Sequence, residues 1–170
     1  MHARAAADVS VRGARPEDDR ALLAIDRATW STQSSPAPAP PSGPFFNERT
    51  WPENVVAAEV DGRLVGWGKI GHPTELPASG HVWHVTGLAV DPEFEGRGVG
   101  RALMEALIEL ARNRGGRRMT LRVFAPNERA RRLYERLGFE VEGVLRGEFM
   151  VGRGEYVDDI LMALDLSPAT

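Results

Sequence analysis

The chain of 170 residues contains no cysteine, a single lysine and few aromatic side chains. Without cysteine, disulfide bonds, thiolate metal ligands and a cysteine nucleophile are all excluded. No apolar run approaches the roughly 20 residues of a membrane span, and the first residues lack the apolar stretch of a signal peptide. We therefore expect a cytoplasmic protein that has no membrane partner.

The rest of the composition is that of an ordinary globular domain. Hydrophobic residues make up 42% of the chain and charged residues 26%, which excludes wholesale disorder. The length predicts a single domain over residues 1–170. Twenty arginines against one lysine are typical of a GC-rich genome, so we expect a bacterial source.

Positive charge is concentrated in residues 97–136, here called the arginine block. The block holds 11 Arg and four Glu, although the whole chain has a net charge of −3. Such a block can attract a polyanion, or it can be the solvated faces of two helices. The acidic pI of about 5.8 and the lack of aromatic interleaving among the arginines, where only Phe124 and Tyr134 occur, argue against a nucleic-acid partner.

Apolar periodicity predicts alternating strands and helices along the chain. An Asp61-Gly62 pair between two strand patterns predicts a hairpin. The order β-α-β-β-β-α-β-α-β-β indicates an α/β or α+β fold. The predicted strands are 9–13, 54–60, 63–70, 81–90, 118–124, 140–145 and 156–164, and the predicted helices are 15–30, 98–114 and 127–137.

A proline-rich segment over residues 31–44 interrupts this pattern and is predicted to be a loop. Long loops in compact domains often form lids. The aromatic residues that flank the loop could line a pocket, or they could clasp the loop to the core. They are Trp30, Phe45, Phe46 and Trp51.

A glycine-rich turn lies between a predicted strand and a predicted helix, and its alternating glycines are Gly96, Gly98 and Gly100. Glycines let the backbone approach a ligand, and the free N–H groups at a helix start bind phosphate. Arg97 and Arg101 flank the turn. A Walker loop is excluded because the only lysine, Lys69, lies elsewhere, and the dinucleotide pattern lacks its last glycine.

Two motifs together resemble the GCN5-related N-acetyltransferase (GNAT) superfamily. The segment Glu95–Gly100 is similar to its acyl-CoA pyrophosphate loop, and Asn127–Phe139 is similar to its second motif. The resemblance covers residues 8–166. It implies a central mixed, mostly antiparallel sheet, splayed between strands 4 and 5 and flanked by helices, with acetyl-CoA as the cofactor.

The resemblance also implies roles for individual residues. The Leu88 N–H would polarise the thioester carbonyl, and Tyr134 would protonate the departing thiolate. Asn127 and Tyr134 lie two helical turns apart and so share a face, although a tyrosine at this position is also typical of a packed core. The residues implied to bind the cofactor are Leu88, Ala89, Val90, Glu95, Gly96, Arg97, Gly98, Val99, Gly100, Arg101, Asn127, Ala130 and Tyr134.

The general base is less constrained than the cofactor site. Residues 80–90 contain no acid, so His84 is the best candidate on this strand, because imidazole titrates near neutrality. Simple alternation puts His84 on the face of Leu88, whereas a bulge at Gly87 would reset that order. Glu148, a chain of water molecules or a purely structural His84 are the alternatives. The four scattered histidines predict no metal site.

One residue departs from the family pattern. The first position of the pyrophosphate loop is usually Arg or Gln, and here it is Glu95. A carboxylate beside a pyrophosphate is unfavourable unless it faces solvent or pairs with Arg97 or Arg101.

The sequence therefore favours an N-acetyltransferase that moves acetyl from acetyl-CoA to a primary amine by direct attack. The acceptor would be a small molecule or a peptide N-terminus, and a homodimer is possible. The aromatic residues beside the proline-rich loop would line the acceptor side and favour an apolar or aromatic amine; they are Trp30, Phe45, Phe46 and Trp51. A non-catalytic acyl-CoA-binding or regulatory module of the same fold is the alternative.

Overall fold

The computed structural model describes residues 8–32 and 34–167, so the expected domain of 1–170 extends beyond this description. One mixed sheet and three α-helices follow in the predicted order. They are β1 (Ser10–Gly13), α1 (Asp19–Thr29), β2 (Val55–Val60), β3 (Arg63–Gly71), β4 (Val82–Val90), α2 (Val99–Asn113), β5 (Arg118–Phe124), α3 (Glu128–Arg136), β6 (Glu140–Val151) and β7 (Glu155–Asp165).

The sheet has seven strands in the order β1-β2-β3-β4-β5-β7-β6. All neighbouring pairs are antiparallel except β4 and β5. That parallel pair consists of three residue pairs and ends at His84 and Thr120. Beyond them β4 continues to Val90 and β5 to Phe124, but the two strands no longer pair with each other. The predicted mixed sheet, splayed between strands 4 and 5, is confirmed.

Local turn chemistry follows the sequence closely. Asp61 and Gly62 have φ angles of +51° and +74°, the left-handed conformation that a tight hairpin turn requires. Helix α3 stops at Gly138, which has a φ of +93°. The Tyr134 carbonyl then accepts hydrogen bonds from the N–H groups of Leu137 at 3.1 Å and Phe139 at 3.0 Å, so this end of the helix is satisfied by backbone donors.

Two apolar cores lie on opposite faces of the sheet. Alternate residues of a strand point to opposite faces, so Val55 packs towards α1 and Val56 towards α2. The α1 side is built around Leu22, whereas the larger core contains residues of α2, β5, β7 and α3. Burying a leucine contributes about 1.5–3 kcal/mol, so the larger core supplies most of the stabilisation that positions α2 and α3.

A β-bulge changes the face on which His84 lies. Between the pairs made by Gly87 and Val85, Thr86 has no partner in β3. Val85 and Leu88 therefore pack into the same core, which leaves His84 on the opposite face from Leu88. Of the two alternatives that the sequence left open, simple alternation and a bulge that resets it, the structure has the bulge.

The proline-rich segment lacks helix and strand in its described residues, and two hydrogen bonds tie this part of the chain to α1. Arg27 Nε donates to the Pro41 carbonyl at 2.9 Å, and the Phe46 N–H donates to Asp19 Oδ1 at 2.8 Å. These bonds hold the loop over one end of the sheet.

Strand β6 is longer than predicted and continues to Val151, where the sequence pattern indicated an end near Leu145. Most of its residues are exposed because β6 is the edge strand, so no apolar alternation marked its second half. No helix of the described residues has the length and apolar character needed to cross a membrane.

Candidate active site

The glycine-rich turn joins the end of β4 to the start of α2. Gly96 and Gly98 have φ angles of +74° and +83°, a conformation that glycine adopts without strain. Gly98 is the N-cap of α2, whose first helical residue is Val99. The first N–H groups of a helix lack intrahelical partners and carry partial positive charge. The turn therefore has the geometry of an anion site.

A cavity of about 440 Å³, here called the loop cavity, lies between this turn and α3. Ten of the thirteen residues predicted to bind the cofactor line it; the other three are Ala89, Arg97 and Tyr134. The ten are Leu88, Val90, Glu95, Gly96, Gly98, Val99, Gly100, Arg101, Asn127 and Ala130.

Glu95 forms an ion pair that the sequence did not suggest. Its carboxylate binds Arg129 of α3, rather than Arg97 or Arg101. Arg101 instead pairs with Glu105 of its own helix at 2.7 Å. Because Arg129 also lines the loop cavity, the negative charge of Glu95 is balanced at the site itself.

Arg97 lies against an aromatic ring instead of lining the cavity. Its guanidinium carbon is 4.8 Å from the centre of the Phe94 ring, a cation–π distance. Phe94 does line the loop cavity, as does Arg136. Sequence reasoning missed both residues, although Arg136 belongs to the arginine block.

A second cavity of about 510 Å³, the central cavity, lies where β4 and β5 diverge. It contains His84 and Tyr134, the two side chains predicted to move protons, and it shares Leu88, Asn127 and Ala130 with the loop cavity. The cavity that holds His84 and Tyr134 therefore adjoins the cavity beside the anion-binding turn.

His84 is held in the central cavity by a hydrogen bond between its Nδ1 and Thr120 Oγ1 at 2.8 Å. Burial and the nearby positive charge of Arg122 lower the pKa of His84, and Asp159 partly opposes this shift. The imidazole is therefore neutral at pH 7. In the tautomer whose Nδ1–H donates to Thr120 Oγ1, Nε2 is the nitrogen that can take a proton.

Tyr134 is 8% exposed and packs near Phe139, with ring centres 6.1 Å apart. Burial raises the pKa of Tyr134 to about 12, so the phenol keeps its proton at neutral pH. A buried phenol of this kind can donate a proton in a reaction and then recover it. The core position and the acid role are therefore compatible.

Asn127 has a structural task of its own. It is the N-cap of α3, and its Oδ1 accepts a hydrogen bond from the Ala130 N–H at 3.2 Å. An N-cap bond of this kind contributes about 1 kcal/mol. Asn127 thus fixes the start of the helix that carries Tyr134.

The four aromatic residues around the proline-rich loop are absent from the lining of the central cavity. Phe45 is buried in the α1-side core, where its ring contacts Trp67 edge-on with centres 5.0 Å apart. Trp51 is 54% exposed, and Trp30 and Phe46 are half-buried. From the loop itself, Ser34 and Pro36 reach the cavity instead.

An ion-pair cluster in the central cavity was not anticipated. Arg122 Nε bonds to Oδ2 of Asp159, and Arg122 Nη2 lies 3.6 Å from Glu148 Oε1. Arg122 and Asp159 line the cavity, whereas Glu148 lies behind Arg122. The pairing joins β5 to β7, residues far apart in sequence, so no short motif announced it.

Much of the arginine block is engaged in ion pairs. Six of its eleven arginines pair with carboxylates. Three of these pairs have i,i+4 spacing, one in α2 and two in α3. Exposed pairs of this kind contribute little to stability. The block is thus partly a set of solvated helix faces, and Arg101, Arg129 and Arg136 are the members that line the loop cavity.

Comparison with known proteins agrees with this architecture. The chain is 33% identical to L-amino acid N-acetyltransferase AaaT of Escherichia coli over 129 residues, which are 71% of this chain and 78% of that protein. It is 43% identical to mycothiol acetyltransferase of Propionibacterium freudenreichii over 89 residues, 51% of this chain. The chain spans about a quarter to a half of the length of several such relatives, 27% for mycothiol acetyltransferase.

A phosphinothricin acetyltransferase from Sinorhizobium meliloti, solved in complex with acetyl-CoA, has the same fold. Its TM-score is 0.78 at 20% identity, with 92% of this chain and 88% of that chain covered. The model of the acetyltransferase (GNAT) family matches residues 21–139. These residues run from α1 through the glycine-rich turn and α3, and the chain therefore belongs to the acetyltransferase (GNAT) family.

Proposed function

We propose that this protein is an N-acetyltransferase that transfers acetyl from acetyl-CoA to a primary amine by direct attack. The observation that carries the proposal is that the two cavities adjoin and share Leu88, Asn127 and Ala130 in their walls. The anion-binding turn lies at one end of the two adjoining cavities. The neutral imidazole of His84 and the protonated phenol of Tyr134 lie at the other end.

The loop cavity fits the diphosphate of acetyl-CoA. The N–H groups at the start of α2 would bind its oxygens, and Gly96 and Gly98 leave open space where a side chain would project. Arg101 and Arg136 add positive charge nearby. Beyond His84, the edge of β4 that faces β5 has no strand partner, so we expect it to offer backbone groups, including the Leu88 N–H, to the remainder of the cofactor.

When bound, acetyl-CoA would supply an activated acetyl group as a thioester. His84 would take a proton from the attacking ammonium at Nε2, and the Leu88 N–H would donate to the carbonyl oxygen as negative charge develops there. Tyr134 would give its Oη proton to the departing thiolate. The nitrogen–carbon bond would form and the carbon–sulfur bond would break. The nitrogen loses two protons in all: the first goes to His84, and the second passes to the Tyr134 phenolate, which restores the phenol beside a neutral thiol product.

The class of acceptor follows from chemistry and from the relatives. Named relatives act on L-amino acids and on the alanine of ribosomal protein bS18, and both are amines. We infer a primary amine for this chain, as a small molecule or a peptide N-terminus.

The first test is calorimetric titration of acetyl-CoA into wild type and Gly98→Glu. Wild type should bind in the micromolar range. The substitution should weaken binding by about 100-fold or more, because it strains a left-handed backbone and puts a carboxylate at the helix N-terminus. Glu109→Gln, on the same helix outside the cavity lining, is the control and should bind as wild type does.

An amine panel with detection of the released thiol then separates the two readings of the fold. Turnover that depends on Tyr134 supports the enzyme. Tight binding of acetyl-CoA without turnover of any amine would instead indicate an acyl-CoA-binding module. Absence of binding by correctly folded wild type would overturn the proposal.

A further inference from the structure

One carboxylate in the central cavity is incompletely paired. Asp159 of β7 is 1% exposed, and its Oδ2 accepts a hydrogen bond from Arg122 Nε. Its Oδ1 is buried and has no hydrogen-bond partner within the described part of the chain. Buried polar atoms without partners are rare in folded proteins, and this one belongs to a residue that lines the cavity.

Arg122 cannot serve both oxygens, because its position is fixed on other sides. Its guanidinium lies 5.6 Å from the centre of the Phe149 ring, and its Nη2 lies 3.6 Å from Glu148. One cation thus faces two carboxylates, and the cluster carries a net charge of −1. A ligand with positive charge and N–H donors would complete it.

The walls near Asp159 suit an amine with an apolar body. Phe124 and Phe149 line the same cavity with ring centres 5.1 Å apart. His84, the proposed acceptor of the ammonium proton, lies in this cavity close enough for Asp159 to oppose the lowering of its pKa. The free carboxylate oxygen therefore lies near the proposed site of attack.

We propose that Asp159 determines acceptor specificity by binding the ammonium group of the acceptor through Oδ1. This inference rests on the proposed function. It selects amines that are protonated at neutral pH over uncharged amines and alcohols. The ammonium is first held at Asp159. It then gives one proton to His84, and the resulting neutral amine attacks.

Two near-isosteric acceptors test this proposal. Benzylamine is a cation at pH 7.5, whereas phenylhydrazine is mostly uncharged. Asp159→Asn keeps the shape of the side chain and should raise KM for benzylamine by about tenfold or more, because the ammonium of benzylamine loses its buried carboxylate partner. The KM for phenylhydrazine and the kcat for both acceptors should change by less than about threefold.

Glu155→Gln is the control, since it removes a carboxylate from the same strand at an exposed position that does not line the central cavity. It should leave both KM values near those of wild type. An equal loss for both acceptors in Asp159→Asn, or the same effect in Glu155→Gln, would overturn the proposal.

A second measurement needs neither the variant nor the cofactor. Titration of the ¹⁵N-labelled wild-type chain with benzylamine should shift the amide signals of Arg122 and Asp159, and the neutral isostere benzyl alcohol should not. Equal shifts with both compounds, or none with benzylamine, would refute the inference even if Asp159→Asn failed to fold. If wild type neither binds acetyl-CoA nor releases thiol, the proposed function fails, whereas this titration still decides the role of Asp159.

Discussion

The two cavities of this site differ in what forms their walls, which is backbone in one and side chains in the other. The loop cavity depends on backbone: two glycines with positive φ angles, the start of α2 and the capped start of α3. The central cavity depends on side chains from β4, β5, β7 and α3, together with the proline-rich loop. Backbone geometry can bind one constant ligand in many proteins, whereas a side-chain cavity changes with each substitution. The acceptor end is therefore where specificity can diverge within this fold.

Tyr134→Phe should separate the two cavities most strongly. Loss of the phenolic proton should lower kcat by about 100- to 10,000-fold, while calorimetry should show unchanged affinity for acetyl-CoA, because the ring does not line the loop cavity. The other tyrosine of the chain, Tyr156, is 69% exposed. Its substitution by Phe should leave kcat unchanged, and an equal loss in both variants would exclude the acid role.

Phe45→Ala tests whether the aromatic residues beside the proline-rich loop serve the core or the acceptor. Removal of a buried phenylalanine should cost about 3–5 kcal/mol in the free energy of unfolding, measured with urea. Trp51→Ala, at an exposed position, should cost less than about 0.5 kcal/mol. A changed preference between aromatic and aliphatic amines in either variant would restore the acceptor role for these residues.

His84→Asn should alter the pH dependence of turnover. Burial and Arg122 lower the pKa of His84, so wild type should stay active as the pH falls to about 6.5 and lose activity below that value, as the imidazole becomes protonated. The variant should lose about 100-fold in kcat at pH 7.5 and lack this acidic limb. An unchanged limb in the variant would assign the base to another group, such as Glu148 or water.

Glu95→Gln should have the smallest effect, and it should be confined to the loop cavity. It releases Arg129 from its ion pair and should tighten acetyl-CoA binding by about two- to threefold, less at high salt. Glu128→Gln releases Arg132 on the same helix and serves as the control, because Arg132 does not line the cavity. Weaker binding in Glu95→Gln would mean that Glu95 itself orders the loop.

The contrast between a cavity formed by local backbone and one formed by distant side chains also explains what the sequence could predict. The glycine-rich turn and the cap at Asn127 are local, so their spacing in the sequence is their spacing in the fold. The order of strands and helices was predictable for the same reason. The pairing of Glu95 with Arg129, 34 residues away, depends on how α3 packs beside the turn, and no local pattern contains it.

Two features of the sheet could not be decided from the sequence. The face of His84 depended on whether a bulge was present, because a bulge inserts one residue, and a single insertion reverses every later side chain. Asp159 was overlooked because its role appears only when β7 lies beside β5 and brings it to Arg122. The aromatic cluster near the proline-rich loop was visible in the sequence, but only packing could show that Phe45 points into the core.

The short ladder between β4 and β5 has a mechanical consequence. Three residue pairs join the two halves of the sheet by hydrogen bonds, while the apolar core on the α2 side runs unbroken beneath both halves. The gap is therefore a slit in the hydrogen-bonded layer over a continuous support, and its width can change without exposing the core. A ligand bound in the gap between β4 and β5 would bridge the two halves of the sheet and restrict their relative motion. Hydrogen exchange of the amides on both edges should then slow together when the slit is filled.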